Sequence, residues 1–466
     1  MSVTRSARLG TIARARYEDA AWIAQQFGQV DLGDTRRARR AQRLALSMLQ
    51  APGKGLPQQT QTWGGLKAAY RLLHGDGVTR EKLMQPHFEH TLAAARAQPV
   101  TLFVQDTTEL DFTSMAHAEG YGPIGNNKGA GLLVHSLLAL TPAGEVLGLG
   151  TQHSWARALD PPHKQTETRS QRQARSGKES EVWPQLLEAV GPVPQGQCWV
   201  SVGDRGSDSF DYWMRAGAIG WRCLSRIFTD RRTADNSHLL TKARELPTQG
   251  QKVVQQRARP GQAARTLHLN LAWGSMQVLP PRNNPTLKKQ PPLNVSIVRC
   301  WDDKHPVEWL LLATWPVENF DNAAQCVQWY EQRWSIEEFH KCLKSGCRVE
   351  SSQLKEAKAV DVLLGFCSIV AVRLLALARL ARMQPDEPAS THIEPAYLTV
   401  LCAMRRLEPT TLTVRGYWRE VARIGGFLAR MRDGDPGWKT LWEGLMKLEN
   451  WVLAWTNGYE KGKNNG

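Results

Sequence analysis

The sequence is poor in cysteine, short of acidic residues and without a long apolar run. Its eight cysteines form no Cys-x-x-Cys pair and have no nearby histidine in zinc spacing. That excludes a metal-finger or disulfide framework and leaves reduced thiols in segments such as Gly365-Phe366-Cys367-Ser368-Ile369. The longest apolar run, Val362 to Val372, stops at Arg373, short of the about 20 residues that cross a bilayer. Met1 to Gly10 holds no apolar signal core. The expectation is a soluble cytoplasmic protein with no membrane partner. From Gln251 to Cys300 there are eight Lys or Arg and no Asp or Glu, and the whole chain carries a formal charge of +15. A charge of that size calls for an anionic partner, and with the membrane set aside the candidate is nucleic acid.

At 466 residues the chain exceeds the roughly 250 to 300 residues that one core supports, so several domains are expected. Residues 1–95 read as a helical, basic, DNA-binding domain, with an arginine cluster at Arg36, Arg37, Arg39, Arg40 and Arg43 and further positive charge at Lys67 and Arg71. Residues 96–385 read as a catalytic domain. There the run Val100-Thr101-Leu102-Phe103-Val104 is a buried strand leading to Asp106, and Cys198-Trp199-Val200-Ser201-Val202 is a second leading to Asp204. Leu132 to Leu138 and Val146 to Leu149 flank the turn Pro142-Ala143-Gly144-Glu145 as a hairpin. The basic stretch falls in a β insertion at about 235–310, expected to face a polyanion. Beyond the linker Gln384 to Ser390, residues 390–460 form a helical unit with Trp438, Leu441, Trp442, Leu445, Leu448, Val452 and Trp455 at helical spacing, and Lys461 to Gly466 is read as a disordered tail.

The segment Tyr330 to Lys344 is the most informative. At about 100° per residue, Tyr330, Arg333, Glu337 and Lys344 fall within a stripe about 60° wide, beside an apolar stripe of Ile336, Phe339 and Leu343. Glu338 points elsewhere. A carboxylate among a phenol, a guanidinium and an ammonium supplies an oxygen ligand for a hard cation and donors for phosphate oxygens. A solvated helix with i,i+4 charge pairs has the same spacing.

The spacing Tyr-x2-Arg-x3-Glu-x6-Lys resembles the signature of bacterial insertion-sequence DDE transposases of the hairpin-forming cut-and-paste group, typified by the transposase of the kanamycin-resistance composite transposon. The similarity extends through Leu32-Gly33-Asp34-Thr35-Arg36-Arg37, Asp106-Thr107-Thr108, Val134-His135-Ser136, Asp204-Arg205, Glu308 to Leu312 and Val370 to Leu375. It implies an α/β, ribonuclease-H-like core of mixed sheet and flanking helices. It further implies that Asp106, Asp204 and Glu337 are both catalytic residues and ligands of two Mg²⁺ ions, with Mn²⁺ able to substitute. The partners implied are double-stranded transposon-end DNA and target DNA, met by a homodimer in a synaptic complex on the bacterial nucleoid. Arg205 and Arg226 would hold phosphates, Tyr330, Arg333 and Lys344 would grip the strand, and Trp309 would stack on an extruded base. The C-terminal tryptophan stripe would be a dimer contact, where plain core packing is the other reading.

Three further readings stay open. Asp111, five residues beyond Asp106, competes as first ligand. A DNA-binding inhibitor and a structure-specific nuclease share the same core; the intact carboxylates and basic head disfavour the first, and the second needs neither the head nor the C-terminal helices.

Overall fold

The computed structural model describes residues 15–115, 119–158, 178–256, 265–430 and 433–464. Helices α1 (Ala15–Phe27), α2 (Thr35–Gln50), α3 (Trp63–Leu73) and α4 (Arg80–Arg96) make up the N-terminal part, as the apolar spacing predicts. Asp34 starts α2 by accepting the Arg36 amide at 2.8 Å, and the helix buries Ala41, Leu44, Ala45, Met48 and Leu49. This part is not detached from the rest, because Phe27 stacks on Phe366 with ring centroids 5.5 Å apart.

The centre is a ten-stranded mixed sheet ordered β2-β3-β1-β5-β6-β10-β9-β8-β7, with β4 paired to β3. The strands are β1 (Val100–Asp111), β2 (Gly122–Ile124), β3 (Gly129–Leu140), β4 (Val146–Trp155), β5 (Cys198–Gly203) and β6 (Arg222–Arg226), then β7 (Gly250–Gln256), β8 (Arg265–Val278), β9 (Leu293–Asp302) and β10 (Val307–Ala313). Both faces of β1 are covered from Thr101 to Gln105, so its sequence is apolar without alternation. The expected hairpin is β3 and β4. The β insertion is not a sheet of its own: β10 pairs with β6, and β9, β8 and β7 add on outward, so the basic stretch lies in the outer half of the same sheet. Its residues 257–264 lie outside the described part.

Helices α5 (Val182–Val190), α6 (Phe210–Ala218) and α7 (Leu239–Glu245) flank the sheet, and a helical series follows it. That series is α8 (Phe320–Glu331), α9 (Trp334–Lys341), a π turn at Cys342–Gly346, α10 (Ala357–Leu380), α11 (Pro395–Arg405), α12 (Val414–Ile424) and α13 (Trp438–Asn464). Helix α10 continues past Arg373 and is long and apolar enough to cross a membrane, where the run ending at that residue looked too short, yet 83% of its apolar window is buried inside the protein. Arg373 is accommodated by pairing with Asp19 at 3.2 Å and lying over the Trp22 ring. All eight cysteines are free. The segment read as a disordered tail is helical through Asn464. Of the tryptophan stripe, Leu441, Trp442, Leu445, Leu448 and Val452 are buried within this chain, which favours core packing for them, and Trp455 stays exposed.

Two imidazoles inside this fold are fixed as neutral tautomers. His87 Nδ1 donates to Gln26 Oε1 at 2.5 Å while its Nε2 accepts the Leu149 amide at 3.1 Å. His135 Nε2 donates to Gln105 Oε1 at 2.9 Å and its Nδ1 accepts from Thr107 Oγ1 at 2.7 Å. Burial first, then neighbouring histidines, push both down to about 3. The folded values lie below the unfolded one, so the unfolded chain takes up protons first. Each ring therefore subtracts up to about 1.4 kcal/mol of stability per pH unit as pH falls from about 6.5 toward 3. Histidine ring NMR should show both neutral in the folded protein at about pH 5. A midpoint near the ordinary value for either ring would contradict the assignment.

Candidate active site

Strand pairing brings the two aspartates together. β1 and β5 run parallel with Val104 opposite Val202, so the positions two residues on, Asp106 midway along β1 and Asp204 just past the end of β5, are brought to neighbouring places. β5 and β6 are also parallel, with Gly203 opposite Ser225, which puts Arg226 next in line. Asp106 Oδ1 accepts the Thr107 amide at 2.7 Å, and Asp204 Oδ1 accepts the Gly206 amide at 2.7 Å to cap a short turn. Glu337 comes from the first turn of α9, which packs on β1. It accepts from Arg333 at 2.6 Å.

The electrostatics tie these groups into one site. Burial is the largest cause that pushes Asp106 up to about 6, and the negative charges of Asp204 and Glu337 add to it, against the Thr107 amide and Arg333. Burial works against the charge on Arg333, but its bond to Glu337, together with Tyr330 and Asp106, outweighs that and raises its pKa. Behind Asp106, Gln105 Nε2 donates to Ser201 at 2.7 Å and to the Tyr212 hydroxyl at 3.0 Å, and Gln105 Oε1 receives His135. These bonds fix the part of β1 from which the carboxylate projects.

The polar stripe is only partly as expected. The helix breaks between Glu331 and Trp334 and turns into a π turn at Cys342, so a uniform 100° step does not carry from Tyr330 to Lys344. Tyr330 is buried at the end of α8, where it feels the positive charges of Arg333 and Arg226 and meets the edge of the Trp309 ring at 5.1 Å. Burial raises its pKa. Trp309 is half-buried. Lys344 lies instead beside Glu350, at 3.4 Å, and near Asp111. Asp111 accepts from the Thr113 amide and hydroxyl, and both bonds lower its pKa. Glu338 faces away, as the register requires, toward Arg379 at 3.0 Å and Arg382 at 2.6 Å. Arg205 is exposed next to Asp204.

Two carboxylates beside a half-buried, raised aspartate form an oxygen donor set of a kind suited to hard divalent cations. Among the described residues, no three such groups are gathered tightly enough to hold an ion as they stand. Arg333 supplies the positive charge in this arrangement, through its bond to Glu337 Oε1.

The basic head has its own groove, of about 630 Å³, lined by Arg36, Arg39, Arg40 and Arg43 of α2 and by Gly65, Ala68 and Ala69 of α3. Arg37 is not part of it, since its guanidinium donates to the carbonyls of Leu32 at 3.2 Å and Asp76 at 2.8 Å. Lys67 and Arg71 are exposed on α3. Sequence reading missed Trp63, 78% exposed, and Tyr70 on the same helix. The signal was present: Trp63, Lys67, Tyr70 and Arg71 fall within about 100° of one another on a helix, aromatic and basic residues on one outer face.

A mixed sheet flanked by helices, with helical termini and two aspartates brought together by parallel strands, is the ribonuclease-H-like architecture of a DDE transposase core. Residues 19–78 match the transposase DNA-binding family and residues 168–373 match the transposase DDE domain family. Asp204 and Glu337 fall within the second match, and Asp106 precedes it. Among solved structures, a piggyBac transposase synaptic complex with hairpin DNA aligns with a TM-score of 0.37 and 10% identity over 96% of this chain and 81% of that one.

The folded pKa of Asp106 exceeds its unfolded value, so the ionised carboxylate subtracts stability that is fully present below about pH 4 and lost as pH rises through about 6. Asp106→Asn, which keeps the Thr107 contact, should therefore stabilise the metal-free protein at pH 8 by about 1–3 kcal/mol. A melting curve in chelator checks this, and a lowered melting temperature contradicts it. Glu338→Gln should act the other way, costing about 1–3 kcal/mol by leaving Arg379 and Arg382 underpaired.

Proposed function

We propose that the protein is a cut-and-paste transposase of the hairpin-forming insertion-sequence group, excising an element at its ends and joining the 3′ ends to target DNA. The observation that carries this reading is the register that sets Asp106 beside Asp204 with Glu337 electrostatically coupled to both through Asp106. Asp106, Asp204 and Glu337 would hold two divalent ions, Mg²⁺ with Mn²⁺ able to substitute, which supply activation of the attacking oxygen and stabilisation of the leaving one. Arg333 and Arg226 bond phosphate oxygens on either side of the carboxylates. Tyr330 buttresses Arg226 and the Trp309 ring, which stacks on a base drawn out of the duplex. Arg205 contacts the strand beyond Asp204, and Lys344 meets the backbone farther along, near Asp111.

End recognition falls to the N-terminal domain through Arg36, Arg39, Arg40 and Arg43, with Lys67 and Arg71 adding phosphate contacts. Two copies pair in the synaptic complex so that both element ends are held together, with the exposed Trp455 region of α13 as the contact. The same chemistry runs four times in order: water nicks the end, the freed 3′ hydroxyl attacks the opposite strand, water opens the hairpin, and the 3′ hydroxyl attacks the target.

Incubating the protein with a labelled duplex carrying the inverted repeat that flanks its gene, in Mg²⁺, should give hairpin and double-strand products. Binding without products would indicate an inhibitor, and end-independent nicks a nuclease. Glu337→Gln should abolish every product and leave binding nearly unchanged. Adding Mg²⁺ should raise the melting temperature of the wild type and leave that of Asp106→Asn unmoved.

Removing Arg36, Arg40 and Arg43 together should weaken end binding and lower the log-log salt slope by about 2.7, at about 0.9 per phosphate contact. Arg37→Gln should leave the slope unchanged and lower stability instead. An unchanged slope in the triple variant would sink the groove assignment.

A further inference from the structure

Phe228 is 57% exposed, directly after β6 and two residues past Arg226. Single exposed apolar side chains are common and by themselves mean nothing. This one differs in how it is held. The carboxylate of Asp208, whose side chain has no exposure, accepts the amides of Phe228 at 2.9 Å and Thr229 at 2.8 Å. Arg231 forms an ion pair with the same carboxylate, donates to the Asp208 carbonyl at 2.6 Å and lies 4.8 Å over the Trp213 ring. Burying an ion pair is costly, and this one fixes the short loop that displays a phenyl ring to solvent.

The loop is also fixed relative to the carboxylates. Asp208 lies four residues after Asp204, on the far side of the turn that Asp204 caps. Arg226 stands opposite Leu311 on β10, and the Ile227 amide donates to the Leu310 carbonyl at 2.9 Å, so the register carried on places Phe228 opposite Trp309. Arg226 itself donates to the Glu308 carbonyl at 3.1 Å and lies near Tyr330. The ring thus stands beyond the end of β6, two residues past Arg226 and opposite Trp309, on the strand next to the one that leads to Asp204 and Arg205. A ligand that satisfies both those cations and a flat apolar ring carries phosphates outside and stacked aromatic faces inside.

We propose that Phe228 is a wedge that packs against the base stack of the bound duplex next to the scissile phosphate, opening the stack on the side facing Trp309. The proposal rests on the reading of the carboxylates as a DNA-cutting site. Rigid display is what a wedge needs, because a floppy ring would fold onto the protein when bases resist parting. The side chain carries no hydrogen-bonding group, so the contact reads stacking and deformability and not base identity.

The test uses the full-length protein in chelator and a duplex of the inverted repeat that flanks the gene, with 2-aminopurine at the junction of element and flank. Wild-type binding should raise the 2-aminopurine emission. Phe228→Ala should abolish the rise and weaken binding about 5- to 150-fold at an unchanged salt slope, with an unchanged melting temperature. Phe228→Trp should restore the rise. A rise that survives in Phe228→Ala, or no rise in a wild type that binds and cuts, overturns the wedge while the DNA-cutting reading stands. Loss of self-association in Phe228→Ala with the emission change intact also overturns it, by making the ring a protein contact. Absence of any salt-dependent duplex binding by the wild type defeats the DNA-cutting reading itself.

Discussion

Two carboxylates held close together, one midway along β1 and one just past the end of the parallel β5, repel each other, and much of the structure around them keeps that repulsion in place. Asp106 cannot relax away because Gln105 behind it is tied to Ser201, Tyr212 and His135. Glu337 cannot withdraw because its helix is anchored from the other side, through Glu338, to Arg379 and Arg382 at the end of α10. α10 is in turn clamped to α4 by the buried Arg80, which bonds Asp361 at 3.0 Å and the Gln152 carbonyl of β4 at 2.8 Å. The strain of gathered negative charge is thereby set against a connected series of ion pairs and buried apolar contacts that runs from the N-terminal helices to the C-terminal ones. A site that is unfavourable alone and relieved by cations is preorganised for them.

Much of this was legible because the informative signals are local. An apolar β-branched run leading to aspartate occurs twice, and each run is a strand of the central sheet, though β1 continues past Asp106 to Asp111 while β5 stops just before Asp204. Helical phase separates Glu337 from Glu338, and the two find different partners. What could not be read depends on where the chain departs from uniform geometry or finds distant partners. The break before Trp334 and the π turn after Lys341 displace Tyr330 and Lys344 from the stripe, and no single residue there announces either. Arg37 looks like its neighbours in sequence, but backbone carbonyls from two loops capture it. The basic insertion has strand periodicity whether it folds alone or extends the main sheet, and only the pairing of β10 with β6 decides between them. Phe228 carried no signal at all, since its meaning comes from Asp208 and Arg231.

The same connectivity shapes how the chain is made. α10 is apolar enough to cross a bilayer; the N-terminal helices and β4 cover much of it, and one flank waits for α13. On a ribosome adding about 5–20 residues per second, that last helix is complete on the order of ten seconds later. For that interval the nascent chain presents one bare, lipid-like flank beside finished N-terminal helices and sheet. Chaperone capture during synthesis, and the fate of chains that stop early, are thereby written into the order of the helices: a chain ending soon after Leu380 would keep its basic head yet carry an uncovered greasy flank, prone to clump before it reaches any DNA.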